Sequence, residues 1–343
     1  MEYDVIIVGS GPSGATAAYF SASYGLKVLC IDRLEGERFD RYHSICGECV
    51  SEKGAKAVGL RDEEIRNRIT LFRLDWPGDI RTEVNLKGYI IERTALLARL
   101  RREAGEKGCV FLHGTVTDIA EGDGYTVTLS DGTSHTSKYL LGADGVYSAV
   151  RRKLFGSEPL QKVPVEMRIR STPAEEGVMA FTLKGKGKFY GWTFPSGEGS
   201  SVGAVRGCLD DGEGVHGARI IPIGWTEELV RGNAALIGDA GGLVNPVSFG
   251  GLRTAFESGR HAAEAIAKGD LSKYSKWWKK STLSDRRFWK VKEAFEKMDD
   301  ADYIDFMKYH GHGFYTSGAI SFIRRPRLAW LYFGCLMALR HGW

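Results

Sequence analysis

The sequence predicts an α/β protein: a parallel-sheet domain interleaved with a β-sheet domain and followed by a C-terminal helical segment. Three observations predict this fold class. Residues 3–9 form an apolar run that leads through a glycine-rich turn into an alanine-rich stretch, the order of strand, turn and helix. Strand-like segments then leave this pattern and return to it at residues 234–238. From residue 273 onward the chain has helical spacing and is unusually aromatic.

The first elements along the chain follow this α/β order. Residues 3–9 predict a buried parallel strand, residues 13–24 a helix and residues 27–32 a second strand. Helical periodicity predicts helices at residues 92–107 and 252–268. Three strands joined by Gly-Asp-Gly and Ser-Asp-Gly turns are predicted over residues 110–144. The sequence is again β-rich over residues 165–205.

The composition is that of an ordinary globular protein, with 43% hydrophobic and 26% charged residues among 343. The net charge of +4, without a long basic run, gives no indication of a nucleic-acid partner. The six cysteines are scattered, which favours a reducing compartment over a disulfide framework. Since no apolar window reaches the length of a membrane span and no signal peptide is recognisable, we expect a cytoplasmic protein.

A dinucleotide site is predicted at the end of the first strand. The segment Gly9-Ser10-Gly11-Pro12-Ser13-Gly14 is a Gly-x-Gly-x-x-Gly sequence between a predicted strand and helix. The first glycine permits the tight turn, the second lets the backbone approach a pyrophosphate and the third lets the helix pack on the strand. The phosphates then lie at the helix N-terminus. Asp32 closes the second strand, where a carboxylate can bind a ribose. This is the order of a Rossmann-like domain.

Two further Gly-Asp segments decide which dinucleotide is expected. Asp144 follows a predicted strand within Gly142-Ala143-Asp144-Gly145, and Asp239 does so within Gly238-Asp239-Ala240-Gly241. Together with the first motif, these segments are similar to those of the flavoprotein hydroxylase superfamily, in which the second aspartate binds the ribityl chain of FAD. No second Gly-x-Gly-x-x-Gly suggests a nicotinamide domain. FAD is therefore the expected cofactor.

Three segments resemble the geranylgeranyl reductase family. They are Ser44-Ile45-Cys46-Gly47-Glu48, then Tyr190-Gly191-Trp192-Thr193-Phe194-Pro195-Ser196-Gly197, and Gly238-Asp239-Ala240-Gly241-Gly242 with the Asn245-Pro246 that follows. The resemblance spans about residues 1–270. It implies hydride transfer from reduced FAD to carbon–carbon double bonds of isoprenoid lipids. The cofactor-binding residues that the motifs and the resemblance indicate are Gly9, Gly11, Ser13, Gly14, Asp32, Arg33, Cys46, Gly47, Arg93, Val116, Asp144, Gly238, Asp239, Gly250, Gly251 and Leu252.

The aromatic segment predicts the substrate site. Tyr190, Trp192 and Phe194 alternate with smaller residues, so they share one face of a strand and form a wall suited to a long apolar chain. Reduction of an alkene also needs a proton, for which Cys46, Tyr190 or an ordered water is the candidate. The resemblance places Cys46 near the flavin. Family members are typically longer, and Phe249 adds bulk to the usual glycine-rich loop, so we expect a trimmed substrate domain.

These expectations give provisional domain boundaries. The FAD-binding domain comprises residues 1–60, 93–155 and 232–270, and the substrate-binding β-sheet domain comprises residues 61–92 and 156–231. Residues 271–343 form the C-terminal helical region. Its segments Lys276-Trp277-Trp278-Lys279-Lys280, Arg286-Arg287-Phe288-Trp289-Lys290 and residues 323–333 mix aromatics with cations. Such segments suit either peripheral contact with a membrane surface or a cap over the substrate cavity.

Rival functions remain open from the sequence. The same fold serves monooxygenases and halogenases, and a flavin protein that only binds lipid is a further alternative. Cys46 and Cys49 could form a redox dithiol beside the flavin, whereas a zinc site lacks further ligands, so no metal is expected. The electron donor is equally open: ferredoxin, a reduced deazaflavin and NAD(P)H all fit. The His310-Gly311-His312 cluster is interpreted as a loop.

Overall fold

The computed structural model describes residues 1–159, 161–183, 191–310 and 326–341. Its strands, in chain order, are β1 (Tyr3–Val8), β2 (Val28–Asp32), β3 (Cys49–Ser51), β4 (Ile65–Trp76), β5 (Ile80–Ile91), β6 (Val110–His113), β7 (Val116–Glu121), β8 (Tyr125–Leu129), β9 (Ser134–Gly142), β10 (Gln161–Arg170), β11 (Val178–Thr182), β12 (Gly191–Ser196), β13 (Gly199–Val205), β14 (Val215–Ile223), β15 (Val230–Arg231) and β16 (Ala234–Leu236). Its helices are α1 (Pro12–Ser23), α2 (Gly36–Ser44), α3 (Glu52–Ala57), α4 (Arg93–Glu106), α5 (Leu252–Ala267), α6 (Ser272–Lys280), α7 (Arg286–Lys297), α8 (Asp300–His310) and α9 (Pro326–His341).

The first sheet is centred on parallel strands in the order β16-β9-β1-β2-β6. Its central strand β1 is buried from Val5 to Val8, as expected of a parallel strand covered on both faces. The helix α1 packs against this sheet and against α4 and α5. A β-carbon built at Gly259 of α5 would lie 2.4 Å from the Ser13 carbonyl oxygen, so the glycine lets α5 approach α1 closely. The expected α/β fold with a Rossmann-like core is confirmed.

The second sheet is almost entirely antiparallel and runs β14-β10-β13-β12-β11-β4-β5-β3. Among the strands that the structure describes, only the pair β11 and β4 is parallel within it. Phe72, Leu74 and Trp76 alternate along β4 and are buried on one face. Trp76 at the end of β4 contacts Phe295 of α7 and Phe306 of α8, with ring centroids 6.0 and 5.8 Å apart. The C-terminal helices therefore cover part of the face on which Phe72 lies.

Two details differ from the sequence-based expectations. Residues 110–144 contain four strands rather than three: β6 joins the parallel sheet, while β7, β8 and β9 form an antiparallel meander. Only Gly114 and Thr115 separate β6 from β7, so the sequence offers no clear turn between them. The residue types of Pro195-Ser196-Gly197 predict a turn there, but the turn lies at Gly197 and Glu198, because Pro195 and Ser196 still pair with β13. The provisional domain boundaries stay a prediction; β3, within residues 1–60, pairs with β5 of the second sheet.

Candidate cofactor and substrate cavity

The glycine-rich turn is built as the motif predicts. Gly9 has a φ of +97° and donates its N–H to the Ile31 carbonyl at 2.7 Å, which ties the turn to β2. Gly11 is the N-cap of α1, and Pro12 occupies the first turn of the helix. A β-carbon at Gly14 would lie 1.8 Å from the Gly9 carbonyl oxygen, so only glycine allows α1 to fold back on the turn. The backbone N–H groups at the start of α1 are therefore available to an anion.

Asp32 is fixed beside this turn. Its Oδ2 accepts hydrogen bonds from the Ser10 N–H at 2.6 Å and from the Ser10 hydroxyl at 2.9 Å. Its Oδ1 accepts one from the Leu34 N–H at 2.8 Å. These bonds orient the carboxylate at the end of β2, where a dinucleotide fold places the group that binds a ribose. Arg33 follows directly and also borders the cavity.

The two other predicted aspartates are partly buried and line the same cavity. Asp144 Oδ2 accepts the Ala149 N–H at 2.6 Å, whereas its Oδ1 is buried and has no partner among the described residues. Asp239 lines the cavity as well. Burial raises the pKa of Asp239 to about 6, although the Arg93 guanidinium opposes this rise. Two carboxyl groups thus offer acceptor oxygens at the carboxyl ends of β9 and β16.

Arg93 holds one wall of the cavity together. Its Nε donates to the His43 carbonyl at 2.6 Å, and its Nη2 donates to the His43 and Ile45 carbonyls. The guanidinium therefore positions the segment that connects α2 to β3 while itself bordering the cavity.

A single continuous cavity of about 680 Å³ joins these groups. Its volume lies within the range of ligand pockets. Of the cofactor-binding residues predicted from sequence, it is lined by Gly9, Gly11, Ser13, Asp32, Arg33, Cys46, Gly47, Arg93, Val116, Asp144, Asp239, Gly250, Gly251 and Leu252. Gly14 and Gly238 lie behind the surface. A β-carbon at Gly238 would come 2.6 Å from the Ser13 hydroxyl, so this glycine permits close packing rather than facing the cavity.

The far end of the cavity is apolar and aromatic. Trp192 and Phe194 lie on one face of β12 and are buried, as their alternation predicts. Phe181 packs against Phe194 with ring centroids 5.1 Å apart. A β-carbon at Gly203 would lie 2.0 Å from the Trp192 ring, so this glycine allows the indole to lie over β13. Tyr190 lies outside the described residues. The other apolar lining residues at this end include Phe72, Val165, Met167, Met179, Ile220 and Ile221.

Cys46 and Gly47 lie between the end of the cavity lined by the glycine-rich turn and the end lined by the aromatic residues. Both residues line the cavity. A β-carbon at Gly47 would come 2.9 Å from Phe194 Cε2 and 3.4 Å from Trp192 Nε1. Gly47, a predicted cofactor-binding residue, therefore also lies against the aromatic wall.

Glu48 and His43 are among the cavity residues that the sequence reasoning missed. Glu48 is 2% exposed, has a φ of +55° and lines the cavity. Burial raises its pKa to about 7, against the opposing effects of Arg93 and Arg66. His43 lies beside the glycine turn, 3.0 Å from a β-carbon built at Gly11. Burial, reinforced by Arg93, lowers the pKa of His43 to about 2, so the imidazole is neutral. In the sequence, Glu48 could have been recognised as the single acidic residue between Cys46-Gly47 and Cys49-Val50.

The contacts of Cys49 bear on the dithiol alternative. Its thiol lies 3.1 Å from Met179 Sδ, and burial raises its pKa far above the usual value. Because the thiolate is the reactive form, this environment disfavours a redox role for Cys49. Nowhere in the described ranges do three His, Cys, Asp or Glu side chains gather in a group that could hold a metal ion. His310 belongs to α8, and Gly311 and His312 lie outside the described residues.

The C-terminal aromatic residues are divided between core and surface. Trp278 and Phe288 are buried, as are Phe295 and Phe306. On α9, Trp330 is 58% exposed and Phe333 36% exposed. In the part of the chain that the structure describes, no helix has the combination of length and apolar character needed to cross a membrane.

Comparison with known proteins identifies the sequence relatives. A family model for the FAD binding domain matches residues 2–183. Digeranylgeranylglycerophospholipid reductase 2 of Methanopyrus kandleri is 30% identical, over 79% of this chain and 80% of the relative. Geranylgeranyl diphosphate reductase of Rhodobacter capsulatus is 29% identical, over 77% of this chain and 75% of the relative. Menaquinone reductase of Mycolicibacterium smegmatis is also 29% identical, over 80% of this chain and 79% of the relative.

Solved structures share the fold. A geranylgeranyl bacteriochlorophyll reductase-like protein of Thermoplasma acidophilum aligns with a TM-score of 0.77 and 20% identity, covering 95% of this chain and 97% of the other. The flavin-dependent brominase Bmp2 aligns with a TM-score of 0.73 and 19% identity, covering 98% and 94%. At these identities the structural matches establish the architecture alone, which reductases and halogenases have in common.

Proposed function

The chain belongs to the geranylgeranyl reductase family of FAD-dependent oxidoreductases, and we propose that it saturates carbon–carbon double bonds of isoprenoid chains with hydride from reduced FAD. The observation that carries this proposal is the continuity of one cavity from the glycine turn at Gly9–Gly11 to the aromatic wall of Trp192 and Phe194. The relatives named as reductases of geranylgeranyl diphosphate and of a digeranylgeranyl lipid support the same class of substrate.

The polar half of the cavity fits FAD. The N-terminus of α1 and the turn before it offer N–H groups to the pyrophosphate, and Gly11 leaves room for its approach. Asp32 is oriented to accept hydrogen bonds from a ribose hydroxyl. The unpartnered Oδ1 of Asp144 and the cavity-lining carboxyl group of Asp239 suit the remaining hydroxyl groups of the cofactor. When bound, FAD supplies the two-electron hydride chemistry that these side chains cannot supply themselves.

The apolar half fits an isoprenoid chain. Trp192, Phe194 and Phe181 present aromatic surface without a charged group, so a hydrocarbon chain is desolvated against them. The same surface excludes water from the reacting double bond. Cys46 and Gly47 lie at the boundary between the polar and apolar halves, which supports their assignment beside the reactive end of the cofactor.

Mass spectrometry of prenyl lipids tests this proposal. The FAD-loaded protein is reduced with dithionite without oxygen and incubated separately with geranylgeranyl diphosphate, a digeranylgeranyl glycerophospholipid and menaquinone. We expect at least one of these lipids to gain two hydrogens per reduced double bond, whereas the oxidised protein leaves it unchanged. Three unaltered lipids would contradict the proposal. The lipid that is reduced identifies the head group that the protein accepts.

A monooxygenase or halogenase of the same fold is less well supported, because the family relatives are named as reductases. Oxygen consumption coupled to turnover of a prenyl lipid would favour it. We propose an external electron donor for the flavin, with ferredoxin, a reduced deazaflavin and NAD(P)H as the classes to compare. Stopped-flow reduction of the bound FAD by each donor distinguishes them.

We also propose peripheral contact with a lipid surface through α9. The exposed Trp330 and Phe333, with the exposed Arg327 on the same helix, support this contact, since aromatic rings and cations suit an anionic headgroup layer. Co-sedimentation with anionic vesicles should fall when Trp330 and Phe333 are both replaced by Ser. If the variant sediments with the vesicles as completely as wild type does, α9 does not make this contact.

A further inference from the structure

Glu48 occupies a distinctive place in the cavity. It follows Gly47, which touches the aromatic wall, and it precedes β3 of the second sheet. Its backbone carbonyl accepts the Ile91 N–H at 3.0 Å, so the segment is anchored to β5. Its φ of +55° is a conformation that non-glycine residues seldom adopt. Glu48 thus lines the cavity directly beside Gly47, the residue at the aromatic wall.

The two carboxyl oxygens of Glu48 have different surroundings. Oε2 pairs with Arg66 Nη1 at 2.8 Å, whereas Oε1 is buried and, among the described residues, has no hydrogen-bond partner. Arg66 is itself held by Glu92 and by the Ser196 hydroxyl at the end of β12. Oε2 is therefore positioned by an ion pair, whereas Oε1 is buried without a hydrogen bond from the described residues. A buried oxygen without a donor is costly as a carboxylate and much less so as a protonated acid.

Charged groups approach Glu48 from each neighbouring element. Arg66 lies on β4, Glu92 follows β5 and Arg93 begins α4. Burial outweighs the two arginines and raises the pKa of the Glu48 carboxyl to about 7, and Glu92 adds to the rise. An acid with a pKa near neutrality both donates and recovers a proton readily at neutral pH. Arg66 also pairs with Glu92, whose side chain is partly exposed.

We propose that Glu48 is the proton donor of the alkene reduction, an inference that rests on the proposed function. One alkene carbon receives the hydride, with its electron pair, from reduced FAD. The other receives the proton from Glu48 Oε1, so two C–H bonds replace the π bond. Glu48 is left as a carboxylate paired with Arg66 and takes a proton from water in the next cycle. The oxidised FAD is reduced again by the external electron donor.

The test uses Glu48→Gln, which keeps the size of the protonated acid but cannot donate a proton. Glu64→Gln is the matched control, because Glu64 is equally buried and paired with Arg99 but both of its oxygens are hydrogen-bonded outside the cavity. In single-turnover reduction of a prenyl lipid by the reduced holoprotein, we expect Glu48→Gln to slow product formation by about 100-fold or more. FAD retention should be unchanged, and Glu64→Gln should react at the wild-type rate.

A second readout does not depend on activity. Infrared spectroscopy of the FAD-loaded wild-type protein should show a protonated carboxyl band that disappears as pH rises through about 7 and is absent from Glu48→Gln. The inference is overturned if the variant reduces the lipid within about twofold of the wild-type rate, or if no such band is lost with the substitution. A wild-type protein that reduces no prenyl lipid overturns the proposed function, and this inference with it. Glu48→Asp, which keeps the acid, should recover part of the rate; no recovery together with an intact infrared band contradicts donation from this position.

Discussion

Gly47 and Phe194 approach so closely that a β-carbon at position 47 would lie 2.9 Å from the Phe194 ring. The two residues are far apart in sequence and belong to different parts of the site: one follows the predicted flavin contact Cys46, the other stands in the aromatic wall. Their contact joins the cofactor half of the cavity to the substrate half. Any change in the gap between them should therefore alter substrate binding more than FAD binding.

Gly47→Ala tests that contact. The added methyl group must displace Phe194 or Trp192, and overpacking of this kind costs about 1–3 kcal/mol. We expect lower affinity for the prenyl lipid, with FAD still bound. Gly105→Ala is the control, because a β-carbon at Gly105 meets nothing within 4 Å. Equal lipid affinity of Gly47→Ala and wild type, measured by flavin fluorescence on titration with lipid, would contradict the predicted contact.

Gly11→Val tests the cofactor turn. A branched side chain at the N-cap of α1 would occupy the space reserved for the pyrophosphate and would press on His43. We expect the purified variant to be colourless and to bind no added FAD, while circular dichroism shows that it remains folded. A yellow, FAD-loaded variant would refute the assignment of this turn.

Asp239→Asn tests the third cofactor segment. The substitution removes a partly buried carboxylate that lines the cavity, and a hydrogen bond to a charged acceptor contributes about 1.5–3 kcal/mol. We expect the dissociation constant of FAD to rise about 10- to 100-fold. Asp118→Asn, which alters an exposed ion pair with Lys153, should leave FAD affinity unchanged. Equal FAD affinities of Asp239→Asn and wild type would show that this carboxylate does not contact the cofactor.

The raised pKa of Glu48 predicts a pH dependence of stability. The unfolded state loses this proton at the ordinary glutamate pKa, whereas the folded state holds it up to about pH 7. As pH rises through that window, the folded state binds more protons than the unfolded state, so wild type loses stability. Relative to wild type, the free energy of unfolding of Glu48→Gln should rise by about 3 kcal/mol between about pH 4 and about pH 8. Denaturant unfolding at both pH values, with FAD saturating, measures this difference; a constant difference would be inconsistent with a buried, neutral Glu48.

The sequence predicted those features that depend on local patterns. Gly9, Gly11 and Gly14 specify their turn through spacing alone, and the alternation of Trp192 and Phe194 predicts their shared face. Glu48 is visible in the sequence as a single acidic residue, but its burial and its pairing with Arg66 are not, because they depend on contacts with other elements. The role of Gly238 also depends on tertiary packing, since it faces Ser13 rather than the cavity. The assignments of individual site residues, and the domain boundaries, stay predictions.

The central claim is that one cavity holds FAD against an isoprenoid chain, and anaerobic reoxidation of the flavin tests it most directly. The holoprotein is reduced without oxygen, excess reductant is removed and the prenyl lipid identified by mass spectrometry is added. The account predicts that the visible absorbance of oxidised FAD returns as the lipid is consumed, with one flavin reoxidised for each double bond saturated. Flavin that stays reduced in the presence of every prenyl lipid, and is reoxidised only when oxygen is admitted, would contradict the account.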